Sequence, residues 1–491
     1  MIAALVWGPA LAGGAAFATR SRRAREVLLV GTALGHAAGV GAAALAPAAR
    51  AWRGWLGLDA LGLLFLAITS ALFLAASLYT VGYLRREPAS RHSDLEEGFA
   101  FSNEPEAVFV GCLLLFLASM TLVTLARHLG LLWVAVEATT LSTAPLIYFH
   151  RQHRSLEATW KYLLVCSVGI GLALLGNLFL AVASMQPAGG GAESMLLDEM
   201  LKHAAGLRRE WLEASFLLVL VGYGTKMGLA PMHTWLPDAH SESPSLVSAL
   251  LSGALLNCAF LGILRSVELL GAAGDLGFTS GPLRALGLLS MGVAALFILR
   301  QPDYKRMLAY SSVEHMGVLA LGVGLGGAAV PGALLHALNH SLAKAMLFLL
   351  AGNLLARFAT KRSAEVRGAL RATPITAALW LAGFFAIAGS PPFGLFVSEF
   401  AILRGALASG ASAAAALYLT LLGVIFVAMA AGVLPMALGP APAGLRPKPE
   451  PWSAWLPPAL LGGAVLVLGV WVPAPLARLL ERAAALLGAA G

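Results

Sequence analysis

Runs of about 20 apolar residues recur from one end of this chain to the other, each long enough to cross a hydrocarbon core of about 30 Å. That repetition excludes a water-soluble fold, because an aqueous domain cannot hide so much surface. Composition agrees: 59% of the 491 residues are hydrophobic and 12% are charged, about half the charged share of an ordinary soluble protein. The expected fold is an all-α polytopic membrane protein, one integral membrane domain over residues 1–491. Runs counted between polar breaks give about fourteen spans, beginning near residues 1, 27, 57, 107, 129, 162, 212, 245, 285, 307, 331, 374, 411 and 453.

The first run is followed, not preceded, by basic residues, at Arg20, Arg22, Arg23 and Arg25. A cleaved signal carries its charge on the other side, so a retained helix is expected. The three cysteines, Cys112, Cys166 and Cys258, lie singly inside apolar runs and read as core filler. Neither a disulfide framework nor an iron–sulfur cluster has local support. A net charge of +8 arrives without basic stretches interleaved with aromatics, so no nucleic-acid partner is expected. Orientation in a lipid bilayer accounts for it better. Connections at 20–26, 85–106, 150–161, 238–244, 300–306, 356–373 and 440–452 hold 20 Lys and Arg, and the opposite connections hold 11. By the positive-inside rule the first set faces the cytoplasm and both termini lie outside, on the periplasmic side of an inner membrane.

Two of the 33 basic residues remain, Lys226 and Lys344, and both fall inside apolar spans. Glu137, Glu314 and Glu399 are likewise embedded, and Asp59 stands at a span entrance. A charge at the bilayer centre costs roughly 2.5–3.5 kcal/mol on insertion scales, so each needs a reason to be there. One is structural, a Lys–Glu pair tying helices together. The other is transport. Two spans favour transport because helix breakers interrupt them, at Gly228 to Pro237 and at Gly389 to Gly394, each beside one of the embedded charges. In lipid, freed backbone groups must be satisfied by neighbouring helices or a water-lined cavity, as in transporters.

Spacing suggests a duplication. Glu137 precedes Lys226 by 89 residues and Glu314 precedes Glu399 by 85, although no residue-for-residue repeat is visible. Five spans per unit is an odd number, which inverts the second copy. The expected division is three N-terminal helices (1–106), a first repeat (107–270), a second inverted repeat (282–438) and a C-terminal helix (453–491).

On the span from Pro331, His336, His340 and Lys344 follow at i, i+4 and i+8, close to one helix face. This pattern suits a proton wire, since imidazole both accepts and donates near neutral pH. A metal- or haem-ligating pair and plain core histidines are the alternatives; no metal is expected, because no carboxylate or cysteine lies nearby in sequence and Lys344 would repel the ion. His315, His233 and Asn257 are candidate relay or water-anchoring groups, whereas His36 and His128 read as packing or interfacial residues. The proton affinity of Lys226 should depend on whether Glu137 is close and charged. At about 7 Å and an effective dielectric near 20 the attraction is about 2.4 kcal/mol, comparable with the 2.3 kcal/mol needed to move a proton against 100 mV.

The segments Trp133-Val-Ala-Val-Glu137-Ala-Thr-Thr, Lys226-Met-Gly-Leu-Ala-Pro-Met-His-Thr-Trp-Leu-Pro-Asp-Ala-His, Tyr304-Lys-Arg-Met-Leu-Ala-Tyr-Ser-Ser-Val-Glu-His-Met-Gly and His336 to Lys344 carry a family resemblance. The chain resembles the antiporter-like proton-translocating subunits of respiratory complex I, the Mrp antiporters and the group 4 membrane-bound hydrogenases. Glu314-His315, Asn-His340-Ser and Ser390-Pro-Pro-Phe-Gly-Leu-Phe-Val-Ser-Glu399-Phe look most like the hydrogenase-4 component F branch. The resemblance implies fourteen spans, two inverted five-helix bundles and broken seventh and twelfth helices. It makes Glu137 and Lys226 the first-half pair, Lys344 the central relay and Glu399 the second-half exit group. It departs at Asn257, where many relatives carry a lysine or histidine, so water would have to bridge an uninterrupted relay there. The chain also ends soon after its last span, without the long lateral helix of the largest such complex I subunit.

The chain shows no dinucleotide fingerprint and no cysteine cluster, so no cofactor of its own is expected. By the family's pattern, partner subunits would carry the iron–sulfur, nickel–iron or flavin centres. The leading expectation is a proton-pumping subunit, without a redox site of its own, of a complex I-like (NADH–quinone) or hydrogenase-type oxidoreductase. Its partners would be other membrane subunits and a peripheral redox arm. The alternatives are an Mrp-type sodium/proton antiporter subunit, with sodium as the second ion, and the membrane module of an inorganic-carbon uptake complex.

Overall fold

The computed structural model describes residues 2–45, 50–87, 92–93, 100–185, 195–442 and 444–489. The helices are α1 (Ile2–Ala18), α2 (Arg22–Leu45), α3 (Ala60–Arg86), α4 (Glu106–Leu125), α5 (Leu129–Ile147), α6 (His153–Ser184), α7 (Leu197–Lys202), α8 (Arg209–Met227), α9 (Trp235–Glu242) and α10 (Ser245–Leu250). They continue as α11 (Leu256–Ala272), α12 (Leu276–Ile298), α13 (Tyr304–Leu325), α14 (Ala329–Phe358), α15 (Ala369–Ala372), α16 (Pro374–Ile387), α17 (Gly394–Ala408), α18 (Ser412–Leu438), α19 (Trp452–Val470) and α20 (Ala474–Ala485). Among the described residues, strands are confined to two short hairpin ladders in loops.

Among the described residues, twelve membrane-length apolar segments are present, two of them compound: α8 with α9, and α10 with α11. The apolar helices α1 and α16 are shorter. Helices α6 and α12 start before the apolar runs expected near 162 and 285, because helical structure continues into the flanking polar turns. The segment 453–491 holds two helices, α19 and the amphipathic α20, separated at Pro473.

Ion pairs tie the connections into two opposed faces. On one, Arg25 meets Glu106 (3.1 Å), Arg85 meets Glu26 (2.7 Å), Arg151 meets Glu104 (2.6 Å), Lys161 meets Asp238 (3.0 Å) and Lys361 meets Glu242 (2.8 Å). These are the connections expected to share a side; Arg91, counted with them, lies outside the described residues. On the other face Arg50 meets Asp198 (2.8 Å) and Arg209 meets Asp275 (2.6 Å). Asp59 caps α3 through the Gly62 amide (2.8 Å) and pairs with Arg127 and Arg265. Burial works to raise the Asp59 carboxyl, but the two guanidinium groups and the Gly62 amide outweigh it and hold it well below the usual carboxylate range.

Three basic residues expected in the aqueous connections are buried instead, Arg127 among them, held by Asp59 and Asp198. Arg265 is 2% exposed, and Glu268 (2.9 Å) joins Asp59 as its partner. Lys305 is 1% exposed, and its ammonium donates to the Ser241 and Ser243 carbonyls (2.9 and 2.7 Å) at the end of α9. A buried cation survives where such acceptors replace water.

Helix α14 is the spine, about 45 Å long, packed against α10, α13, α16, α17 and α19. Close helix contact is achieved by small residues: a Cβ at Gly222 of α8 would stand 2.6 Å from the Ala173 nitrogen of α6.

Candidate functional site

Helix α8 ends where Gly228 adopts φ +84, and the chain passes through a short 3₁₀ turn, Met232–Thr234, before re-entering helix as α9. The freed backbone finds partners: the Leu229 amide donates to Gly224 O (2.9 Å), the Ala230 amide to Ser290 Oγ on α12 (2.9 Å), and the Trp235 indole to Thr225 O (2.8 Å). Lys226, in the last turn of α8, is wholly buried. Its ammonium donates to Thr140 Oγ1 (2.8 Å) and to Tyr162 OH (2.7 Å). Thr140 Oγ1 in turn donates to Glu137 Oε2 (3.1 Å), and Ser167 Oγ donates to Glu137 Oε1 (2.9 Å). Carboxylate and ammonium are therefore joined through one hydroxyl rather than in contact, within about 6 Å of each other. At an effective dielectric near 20 that separation corresponds to about 2.8 kcal/mol of attraction. Glu137 is only half-buried, and Ser167 lies on an exposed stretch of α6 between Leu164 and Val168.

Between the halves, a π-helical turn at Leu251–Leu255 joins α10 to α11. The next turn carries Asn257, whose Nδ2 donates to Gly253 O (2.9 Å) and to Ser341 Oγ on α14 (2.7 Å); its Oδ1 has no partner. The asparagine thus touches the residue beside His340. Cys258, next in sequence, is buried and within electrostatic range of Lys226.

In the second half, Lys344 donates to Leu308 O (2.7 Å) and to Ser311 Oγ, one turn before Glu314 on α13. His315 and His336 share a hydrogen bond between Nδ1 and Nε2 (3.0 Å), and His336 Nδ1 contacts Ser398 Oγ (3.0 Å). The His340 ring lies 4.9 Å from that of His315. Glu399 follows Ser398 on α17, just beyond the second break, and one atom each of His315, His336 and Glu399 falls within a common 4.8 Å. All of these groups are buried.

Nine of the ten candidates thus fall into two clusters and a connecting link: Glu137 with Lys226; Asn257; and Glu314, His315, His336, His340 and Lys344 with Glu399. His233 stands apart. It sits in the first break, its ring 6.4 Å from Phe297 and 6.3 Å from Tyr310, and is hydrogen-bonded to none of the others. The expectation that no carboxylate lies near the histidines holds only along the chain, since α17 brings Glu399 to them. His36 bridges Ser70 and Thr121 (3.0 and 2.9 Å), a packing role, and His128 caps α5.

Sequence reasoning missed Tyr162, and left Thr140, His240, Lys305, Ser341 and Ser398 inside quoted motifs without a role. His240 is wholly buried, with Lys344 and Lys305 within electrostatic range. Two residues away opens a cleft of about 350 Å³ lined by Lys161, Asp238, Glu242, Asp303, Arg306 and Lys361. Histidine in the Pro-Asp-Ala-His segment, beside acidic residues at a helix end, was the available signal.

The family model for the NADH:quinone oxidoreductase/Mrp antiporter transmembrane region matches residues 126–425. The Hydrogenase-4 component F homolog of Methylacidiphilum infernorum is 36% identical over 374 residues, covering 75% of this chain and 77% of that protein. Hydrogenase-4 component B of Escherichia coli is 30% identical over 357 residues, 70% of this chain and 50% of that one. Among solved structures, a chain of respiratory complex I from Thermus thermophilus with bound NADH superposes with a TM-score of 0.82 at 26% identity, covering 99% of this chain and 100% of that chain.

Proposed function

The chain belongs to the NADH:quinone oxidoreductase/Mrp antiporter transmembrane family, and we propose that it is the proton-translocating membrane subunit of a complex I-like or membrane-bound hydrogenase-type oxidoreductase. One observation carries the proposal. Titratable groups on five helices, all buried except the half-buried Glu137, form two hydrogen-bonded clusters, Glu137–Thr140–Lys226 and His315–His336–Ser398 beside Glu399, with Asn257 and Ser341 between them. A structural ion pair would need only the first.

In this reading the Lys226 ammonium holds its proton while Glu137 is near and ionised. About 2.8 kcal/mol of attraction is withdrawn when Glu137 is neutralised or moved away, comparable with the 2.3 kcal/mol per 100 mV that a proton must climb. The released proton passes by way of water at Asn257 and Ser341 to His340 and Lys344, then through His315 and His336 to Glu399. Imidazoles suit the relay because each can bind a proton on one nitrogen while giving one up from the other. The cleft at Asp238 and Glu242, with His240 behind it, is the supply from the basic face.

The half-buried Glu137 with Ser167 on an exposed face of α6 supports a membrane partner there, since lipid would leave a carboxylate unpaired. A peripheral redox arm would carry the iron–sulfur, nickel–iron or flavin centres and supply the push. Residues 107–270 and 282–438 act as the two inverted repeats, and α1 together with the broken α16–α17 pair completes fourteen crossings. The basic face lies toward the cytoplasm of an inner membrane, with both termini outside.

The test is coupled proton transport in membrane vesicles holding the assembled complex. Lys226→Ala and Glu137→Gln should each abolish it while the complex still assembles; normal pumping by both variants defeats the assignment.

A further inference from the structure

The second-half cluster gathers ligating atoms of more than one kind. Glu399 Oε1 is buried without a hydrogen-bond partner beside the His315–His336 pair. An unpaired carboxylate oxygen at such depth marks a place built around something else. His315, His336 and Glu399 each present one atom within 4.8 Å of the others, from three helices, α13, α14 and α17.

We propose that His315, His336 and Glu399 form a three-residue site for a borderline-soft divalent cation of the Zn²⁺ class. Zinc takes imidazole nitrogen and carboxylate oxygen at about 2.0–2.2 Å in tetrahedral array, which sets ligand atoms roughly 3.3 Å apart. The His315 and His336 nitrogens are already 3.0 Å apart, so replacing their shared hydrogen with the metal opens the pair by only a few tenths of an ångström. His336 is anchored through its other nitrogen to Ser398 Oγ, the arrangement that fixes the tautomer and ring orientation of metal-ligating histidines. The Lys344 ammonium is turned to Leu308 O and Ser311 Oγ on α13, and Glu399 supplies the compensating charge. Magnesium and calcium prefer all-oxygen shells and are not suited to it. Occupancy would claim the nitrogens that pass protons and so block the exit half. That consequence rests on the proposed proton path, whereas occupancy itself does not.

The test uses the intact complex, freed of metal with chelator, reconstituted in lipid nanodiscs and titrated with Zn²⁺ alone. Bound zinc is counted by mass spectrometry and its ligands are read by X-ray absorption. One zinc per chain is expected, with at least two imidazoles and a carboxylate, unaffected by excess Mg²⁺. His336→Asn and Glu399→Gln should each weaken binding at least about tenfold, and Ser398→Ala, which leaves every ligand in place, about tenfold. Zinc binding that is absent, or equally tight in all three assembled variants, overturns the site. Because zinc is counted without reference to transport, a complex that binds zinc yet pumps normally with Lys226→Ala would retain the site and lose the proton path.

Discussion

The two broken helices carry their charges on opposite sides of the break, and the glycines that permit the breaks face different neighbours. In the first, Lys226 precedes Gly228, where an added Cβ would meet the Leu236 side chain at 2.4 Å. In the second, Glu399 follows Gly389 (φ +63), where a Cβ would stand 1.9 Å from Glu399 Oε2. One break rests on packing, the other on the carboxylate itself. The charged groups differ in the same sense. Lys226 and Glu137 are already joined through hydroxyls, whereas Glu399 retains an open hydrogen-bonding atom. On the proposed path, the first half stores a proton in a defined place and the second hands it on.

Among changes that compare the two breaks and their bridges, the largest effect should come from Gly389→Ala. It strains the left-handed backbone and drives the Glu399 carboxylate from its position, so coupled proton transport should fall at least tenfold in vesicles although the complex assembles. A wild-type rate would mean that Glu399 need not sit against the break. Next comes Thr140→Val, which keeps the shape and removes the hydroxyl between Glu137 and Lys226. A loss of about 1.4 kcal/mol, within the range for an orphaned buried donor, corresponds to about a tenfold slower rate, and Thr140→Ser should restore most of it. If the valine variant pumps as fast as the serine one, the hydroxyl bridge is incidental. Gly228→Ala should have the smallest effect on transport. Its cost, about 1–3 kcal/mol of backbone strain, should appear as a lowered thermal midpoint of the purified complex at a near-normal rate per assembled complex. A transport loss matching that of Gly389→Ala would erase the distinction between the breaks.

Most of the spans, both breaks and the embedded charges were legible because each violates a simple expectation: apolar length, helix-breaking Gly and Pro, or ions where insertion is costly. The connecting hydroxyls were not. Thr140, Tyr162, Ser341 and Ser398 cost little within a buried helix, where Ser and Thr can bond the preceding turn, as Ser341 does to Ala337 O (2.6 Å), so nothing in their spacing sets them apart. Glu399 meeting His315 and His336 depends on how α13, α14 and α17 pack, which periodicity within one helix cannot reveal. Arg265 and Lys305 were misplaced for a related reason, because a basic residue near a span end reads as solvated until its buried partners are known.

The central claim is that Lys226 and Lys344 lie on one path in series. Proton transport in vesicles carrying Lys226→Ala, Lys344→Ala and the double variant tests it directly, because residues acting in one path are non-additive. The account predicts that each single variant already falls to the background rate and that the double variant is no worse. Singles that each keep about half of the rate, with the remainder lost only in the double, would show two independent routes and contradict it.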